Sequence, residues 1–145
     1  MSNKELKQGI IECYIHSNKK IGVLVDLRCE TDFVARTEEF KKLAHELCLQ
    51  IAAMKPLFLR EEEIPEEFLA GERKILKEQL KDSGKPQKII DQIIEGKIKK
   101  LKEEISLLSQ PWIRDDTKTI KDVINEYAKK FGEQIVINRF VRFEI

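Results

Sequence analysis

His45 and Cys48 lie three residues apart and would share one side of a helix, where imidazole and thiol could form a nucleophile pair. Such chemistry also needs a third group to orient the imidazole and a pocket for substrate. The sequence marks neither, so a packed or half-exposed pair is expected. Glu61-Glu62-Glu63 could attract a cation, but three acids ahead of a helical segment are the usual solvated start favoured by the helix dipole. The cysteines Cys13, Cys29 and Cys48 are odd in number and scattered. They contain no C-x-x-C pair for structural zinc or a redox dithiol, and they fit a reducing cytoplasm. No glycine-rich phosphate loop is present, so the chain is not expected to bind a nucleoside triphosphate such as GTP, and no cofactor or metal is expected.

The most informative segment is Cys29-Glu30-Thr31-Asp32-Phe33-Val34-Ala35-Arg36, at a junction between a strand-like and a helix-like pattern. Thr31 or Asp32 could cap a helical turn while Phe33 and Val34 fill the core. Spacing alone leaves open whether Phe33 points inward or out. His16 falls in a polar turn, as a solvated residue or a rim contact. Trp112, after Pro111, could anchor a partner or pack over the core edge. Lys97, Lys99, Lys100 and Lys102 are interspersed with Ile98 and Leu101, which reads as a solvated helix face.

The elements that must position these residues follow from periodicity. Ile10–Ile15 and Ile21–Arg28 are rich in β-branched residues and flank the polar run His16–Lys20, a pattern that predicts an antiparallel hairpin. Val23, Val25 and Leu27 alternate, yet Leu24 lies opposite them, so both faces of the sheet carry apolar groups. From Thr37, a plausible N-cap, Phe40, Leu43, Ala44, Leu47 and Ile51 form a helical stripe that ends near Pro56. A second helix carries Phe68, Leu69, Ile75, Leu76 and Leu80 and stops near Gly84 and Pro86. The third and longest carries Ile89 through Ile105, with Gly96 placed where a close packing contact could excuse it. After a loop through Asp115-Asp116, Thr119-x-x-Asp122 opens a fourth helix, closed by Gly132. The final run, Ile135–Ile145, is a strand too apolar to stand alone and should join the hairpin. The predicted class is α+β: a small antiparallel sheet of about three strands against a layer of helices, in the order β-β-α-α-α-α-β.

Bulk properties narrow the function. With 27 Lys and Arg against 26 Asp and Glu, a net charge of +1 offers no cation surplus for displacing counterions from phosphates, so no direct nucleic-acid binding is expected. The apolar runs are too short to cross a bilayer, and the opening residues lack the hydrophobic core of a secretory signal. A cytoplasmic protein without membrane association is the expectation.

The octet Cys29–Arg36 resembles the signature of the elongation factor Ts family. Tyr14-Ile15-His16, Ile21–Val25, Glu39-Phe40, Glu63-Ile64-Pro65, Gly84-Lys85-Pro86, Glu95-Gly96-Lys97, Ser109–Trp112 and Gly132–Glu144 follow in family order, so the likeness covers essentially the whole chain. It implies a non-enzymatic guanine nucleotide exchange factor for elongation factor Tu. The working edge would be Thr31, Asp32, Phe33 and Val34, with the Phe wedged between helices of the GTPase so that the magnesium held with GDP is dislodged. Residues 1–145 would form a single core, or dimerisation, domain. The family's small N-terminal helical domain is expected to be absent, and two chains are expected to pair through their sheets. Two other classes remain: a dimerisation or scaffold fragment without exchange activity of its own, and a small hydrolase using Cys48 and His45.

Overall fold

The computed structural model describes residues 5–145. Strands β1 (Gln8–Ile15) and β2 (Ile21–Cys29) form the expected hairpin, and β5 (Val136–Glu144) pairs antiparallel with β2. The sheet order is therefore β1-β2-β5. Between β2 and β5 run five helices: α1 (Asp32–Ala35), α2 (Glu38–Met54), α3 (Glu66–Leu80), α4 (Gln87–Ile105) and α5 (Ile120–Phe131). The loop expected around Asp115-Asp116 is instead a small hairpin of β3 (Pro111–Trp112) and β4 (Asp115–Thr119). Its polar sequence carries no alternating pattern. It is anchored from outside, where the buried Gln50 of α2 donates to the Pro111 carbonyl and accepts from the Ile113 N–H.

The chain divides into two compact units, one of the residues up to Lys55 together with Pro111–Ile145, the other of Pro56–Gln110. In the first, Val23, Val25, Leu27 and Cys29 of β2 are buried, and so are Phe40, Leu43, Ala44, Leu47, Cys48 and Ile51 of α2. The period of two in the strand meets the helical stripe, as the sequence requires. Thr37 caps α2 by accepting from the Phe40 N–H at 3.1 Å, and Lys55 closes it in the left-handed conformation. A carbonyl left without a partner at that end, on Ala52, receives the Arg142 guanidinium at 3.0 Å. Thr119 and Asp122 make the reciprocal bonds of a capping box at the start of α5.

Gly9 marks where β1 must come close to its neighbour. A Cβ there would stand 2.1 Å from the Leu27 carbonyl oxygen, a position only glycine can fill. The second unit has its own core of Ile64, Leu69, Ile90, Ile94 and Ile98, with Phe58 and Phe68 edge-to-face beside it. The apolar stripes read from the sequence are wider than this core, since Ile75 and Ile89 are exposed. Gly96 does not serve a close packing contact, for nothing lies within reach of a Cβ added to it.

On the sheet face away from α2, Asp26 is only 6% exposed. Arg28 grips its carboxylate with two nitrogens at 3.0 and 3.2 Å, and Asn138 and Arg139 donate at 3.0 and 3.3 Å. Burial pushes the carboxyl pKa up. The hydrogen bonds from Arg28, Asn138 and Arg139, with the charge of Arg28, outweigh it and hold the group below its ordinary value.

Two stability predictions follow from these positions. Gly96→Ala should raise the unfolding free energy by about 0.5–1 kcal/mol in urea titration, since a methyl fits freely in an exposed helix interior. A carboxyl whose folded pKa is depressed contributes stability above its unfolded pKa, about 3.9 for Asp, and loses that contribution as pH falls through the lower folded value. Asp26→Asn should therefore cost about 1–3 kcal/mol at neutral pH, and its stability should fall less steeply than the parent's as acid titrations pass below about pH 4.

Candidate functional site

The strand β2 ends at the buried Cys29, and the chain turns immediately into the single-turn helix α1. Thr31 has extended backbone and acts as the N-cap: its hydroxyl accepts the Val34 N–H at 3.2 Å. The Cys29 thiol donates to the Thr31 carbonyl at 3.2 Å, which ties the cap to the strand end. Burial, foremost, and the nearby Glu133, Asp32 and Glu30 carboxylates push the Cys29 thiol pKa up, so it stays a neutral donor. Thr37 then donates from its hydroxyl to the Val34 carbonyl at 2.8 Å and starts α2.

On one helical turn, successive side chains diverge by about 100°. Val34 and Ala35 point into the core and are buried, which turns Phe33 outward. Its ring is 81% exposed. The alternative in which Phe33 plugs the core is thus excluded, and Val34 alone fills that role. Asp32 also faces solvent, and its carboxylate accepts the Arg36 Nε at 2.8 Å one turn on. Thr31, Asp32, Phe33 and Val34 therefore stand together, as cap, charge, exposed ring and internal anchor of one short turn.

A second feature is the sheet face away from α2. Antiparallel register brings Cys13, Leu24 and Val141 into one row and Ile15, Gly22 and Phe143 into the next. Ile11 is 60% exposed and Phe143 70%, with Ile15, Leu24, Val141 and Cys13 also open to solvent. These residues form a contiguous apolar face open to solvent. The Asp26 cluster bounds it at the Ile11 end, where Asp26 pairs with Ile11 and Arg139.

The remaining candidates do not assemble into a site. Cys48 is fully buried, and that burial, with Glu12 and Cys13 beside it, pushes its thiol pKa up to about 12. A thiol so protonated is not a nucleophile near neutral pH. His45 faces outward, its Nδ1 3.8 Å from a Glu12 carboxylate oxygen. His16 is half-buried against Tyr14, with Nδ1 2.7 Å from the phenol oxygen. Glu61 accepts from the Ser109 hydroxyl and Glu63 pairs with Arg60, so two of the three acids already have protein partners. Among the described residues no group of three or more His, Cys, Asp and Glu could hold a metal ion, and no helix is long and apolar enough to cross a membrane. Lys97, Lys99 and Lys100 lie on the solvated side of α4, and Trp112 is half-buried.

Two acidic side chains tie this turn to the connection between α5 and β5. Glu133 accepts from the N–H groups of Glu30 and Thr31, both at 3.1 Å, and from the Thr31 hydroxyl at 2.6 Å. Glu30 in turn accepts from the Gln134 N–H. More than a hundred residues separate the partners, so no local pattern could reveal the pairing.

Comparison with known proteins places these features in context. A family model described as "Elongation factor TS" matches residues 1–145. The chain is 53% identical over 137 residues to elongation factor Ts of Thermoanaerobacter sp., covering 94% of this chain and 67% of that one. It is 50% identical over 144 residues to the Thermotoga petrophila protein of the same name, with 99% and 71% covered. The Thermosipho melanesiensis protein is 49% identical over 144 residues, with 99% and 74% covered.

Proposed function

The chain belongs to the elongation factor Ts family, a family of translation elongation factors, and from that premise we propose that it is a guanine nucleotide exchange factor for elongation factor Tu. In this reading it works in the cytoplasm as a core domain, catalyses no covalent step and needs no cofactor. Phe33 is the observation that carries the reading: a large apolar ring, 81% exposed, on a turn whose backbone is held by its own hydrogen bonds.

The physics of such a wedge is direct. Burying a Phe side chain contributes roughly 1.5–3 kcal/mol, which is available when the ring leaves water for a cleft between helices of the GTPase. Asp32, beside it, supplies a carboxylate for polar groups on the partner. Magnesium tolerates little departure from octahedral geometry, so a small helix displacement costs much of its binding energy. Without the cation the diphosphate charge is poorly compensated and GDP leaves. Reciprocity requires that a factor weakening GDP binding be itself weakened by GDP. Because the backbone of α1 is hydrogen-bonded at both ends, Phe33 is presented from an ordered turn, which lowers the backbone entropy lost on docking.

The exposed apolar sheet face supports a homodimer in which two chains cover each other's Leu24, Val141 and Phe143. A chain that only paired in this way would be a scaffold, so the two activities need separate measurements.

Release of fluorescent GDP from elongation factor Tu tests the exchange reading. The intact chain should accelerate release, and Phe33→Ala should reduce that acceleration about ten- to a hundredfold, as for loss of a hot-spot aromatic, with an unchanged melting temperature. No acceleration by the intact chain would overturn the reading; binding without acceleration would leave a scaffold. Light scattering tests pairing: the parent should weigh two chains, and Leu24→Glu or Phe143→Glu should reduce that to one by placing a charge in the apolar contact.

A further inference from the structure

We infer that Glu133 is a positioning residue for the exchange step, holding the N-cap of α1 and so fixing the direction in which Phe33 stands. The inference rests on the exchange reading, and it concerns a residue outside Thr31–Val34 that bonds that edge at Thr31. Its carboxylate takes three bonds from the turn: Oε1 accepts from two successive N–H groups, Glu30 and Thr31, and Oε2 accepts the Thr31 hydroxyl. A hydroxyl has one proton. Thr31 gives that proton to Glu133 and accepts the Val34 N–H on the same oxygen, so the two bonds together hold the Thr31 side chain in the rotamer that an N-cap requires.

Glu133 is aimed by its own backbone. Its N–H reaches back to the Ala128 carbonyl and that of Gly132 to Lys129, the paired bonds of a Schellman motif, with Gly132 left-handed at φ 68°. Gln134, the next residue, donates to the Glu30 carboxylate, so the connection between α5 and β5 and the turn after β2 bond each other in both directions. A four-residue helix cannot sustain itself, because nucleating one turn is unfavourable. The turn that carries Phe33 is therefore held at its start by Glu133 and at its end by Thr37.

Hydrogen exchange of the chain alone, combined with GDP release, tests this. In Glu133→Ala the Val34 and Ala35 amides should exchange about tenfold faster, as for a lost cap, while Leu43 and Leu47 in the core of α2 keep their protection. Accelerated GDP release should fall about tenfold, and adding Thr31→Ala should lower it little further, since both act through one cap. Glu133→Gln keeps one oxygen to accept from the two N–H groups, but its NH2 cannot accept the Thr31 hydroxyl. It should fall between, at about threefold. Unchanged protection at Val34 and Ala35 in Glu133→Ala would overturn the proposal, and so would faster exchange spread evenly through the α2 core. A loosened turn with undiminished GDP release would overturn it too. Failure of the intact chain to release GDP counts against the exchange reading instead, and the amide data still decide whether Glu133 holds the turn.

Discussion

The inward face of β2 packed against the apolar stripe of α2 is the contact on which the rest of the first unit depends. Val23, Val25, Leu27 and Cys29 are buried on the strand side, and Phe40, Leu43, Leu47 and Ile51 on the helix side. The strand is central, with β1 on one edge and β5 on the other, so its backbone groups are satisfied in both directions. A central strand cannot shift by one residue without carrying its whole apolar set to the wrong face. That constraint fixes where Cys29 ends the strand, and hence where Thr31 and Phe33 begin.

From this anchor the two surface features arise by opposite means. Phe33 is exposed because its neighbours Val34 and Ala35 claim the core, leaving a single aromatic ring on a short, tied turn. The sheet face is exposed because the alternation that buries Val23 and Val25 points Leu24 the other way, and its neighbours Cys13 and Val141 share that direction. One is a single ring on a tied turn; the other is an apolar face spread over three strands. Asp26 limits that area with a polar cluster whose hydrogen bonds are internal to the chain.

The second unit follows different rules. Ile90, Ile94 and Ile98 recur every four residues along α4 and meet Leu69 and Ile64, while Ile75 and Ile89 remain outside. Helical periodicity marks which residues can share a face. The width of the buried part depends on how much partner surface reaches it.

Local patterns in the sequence determined the hairpin, all four longer helices with their caps at Thr37, Thr119 and Gly132, and the closing strand, because each is set by short-range periodicity or by one residue's backbone preference. The octet around Thr31 and Phe33 was equally legible as a family likeness. Its spacing left the direction of the ring open, since a residue on one helical turn faces in or out according to what its neighbours bury. Tertiary structure decided that direction, and likewise the β3–β4 hairpin tied to Gln50, the open space around Gly96, and the division into two compact units. The Glu133 clamp on Thr31 is the clearest case. It joins residues that are distant in the chain and near only after β2 and β5 have paired, and no pattern within either segment encodes it.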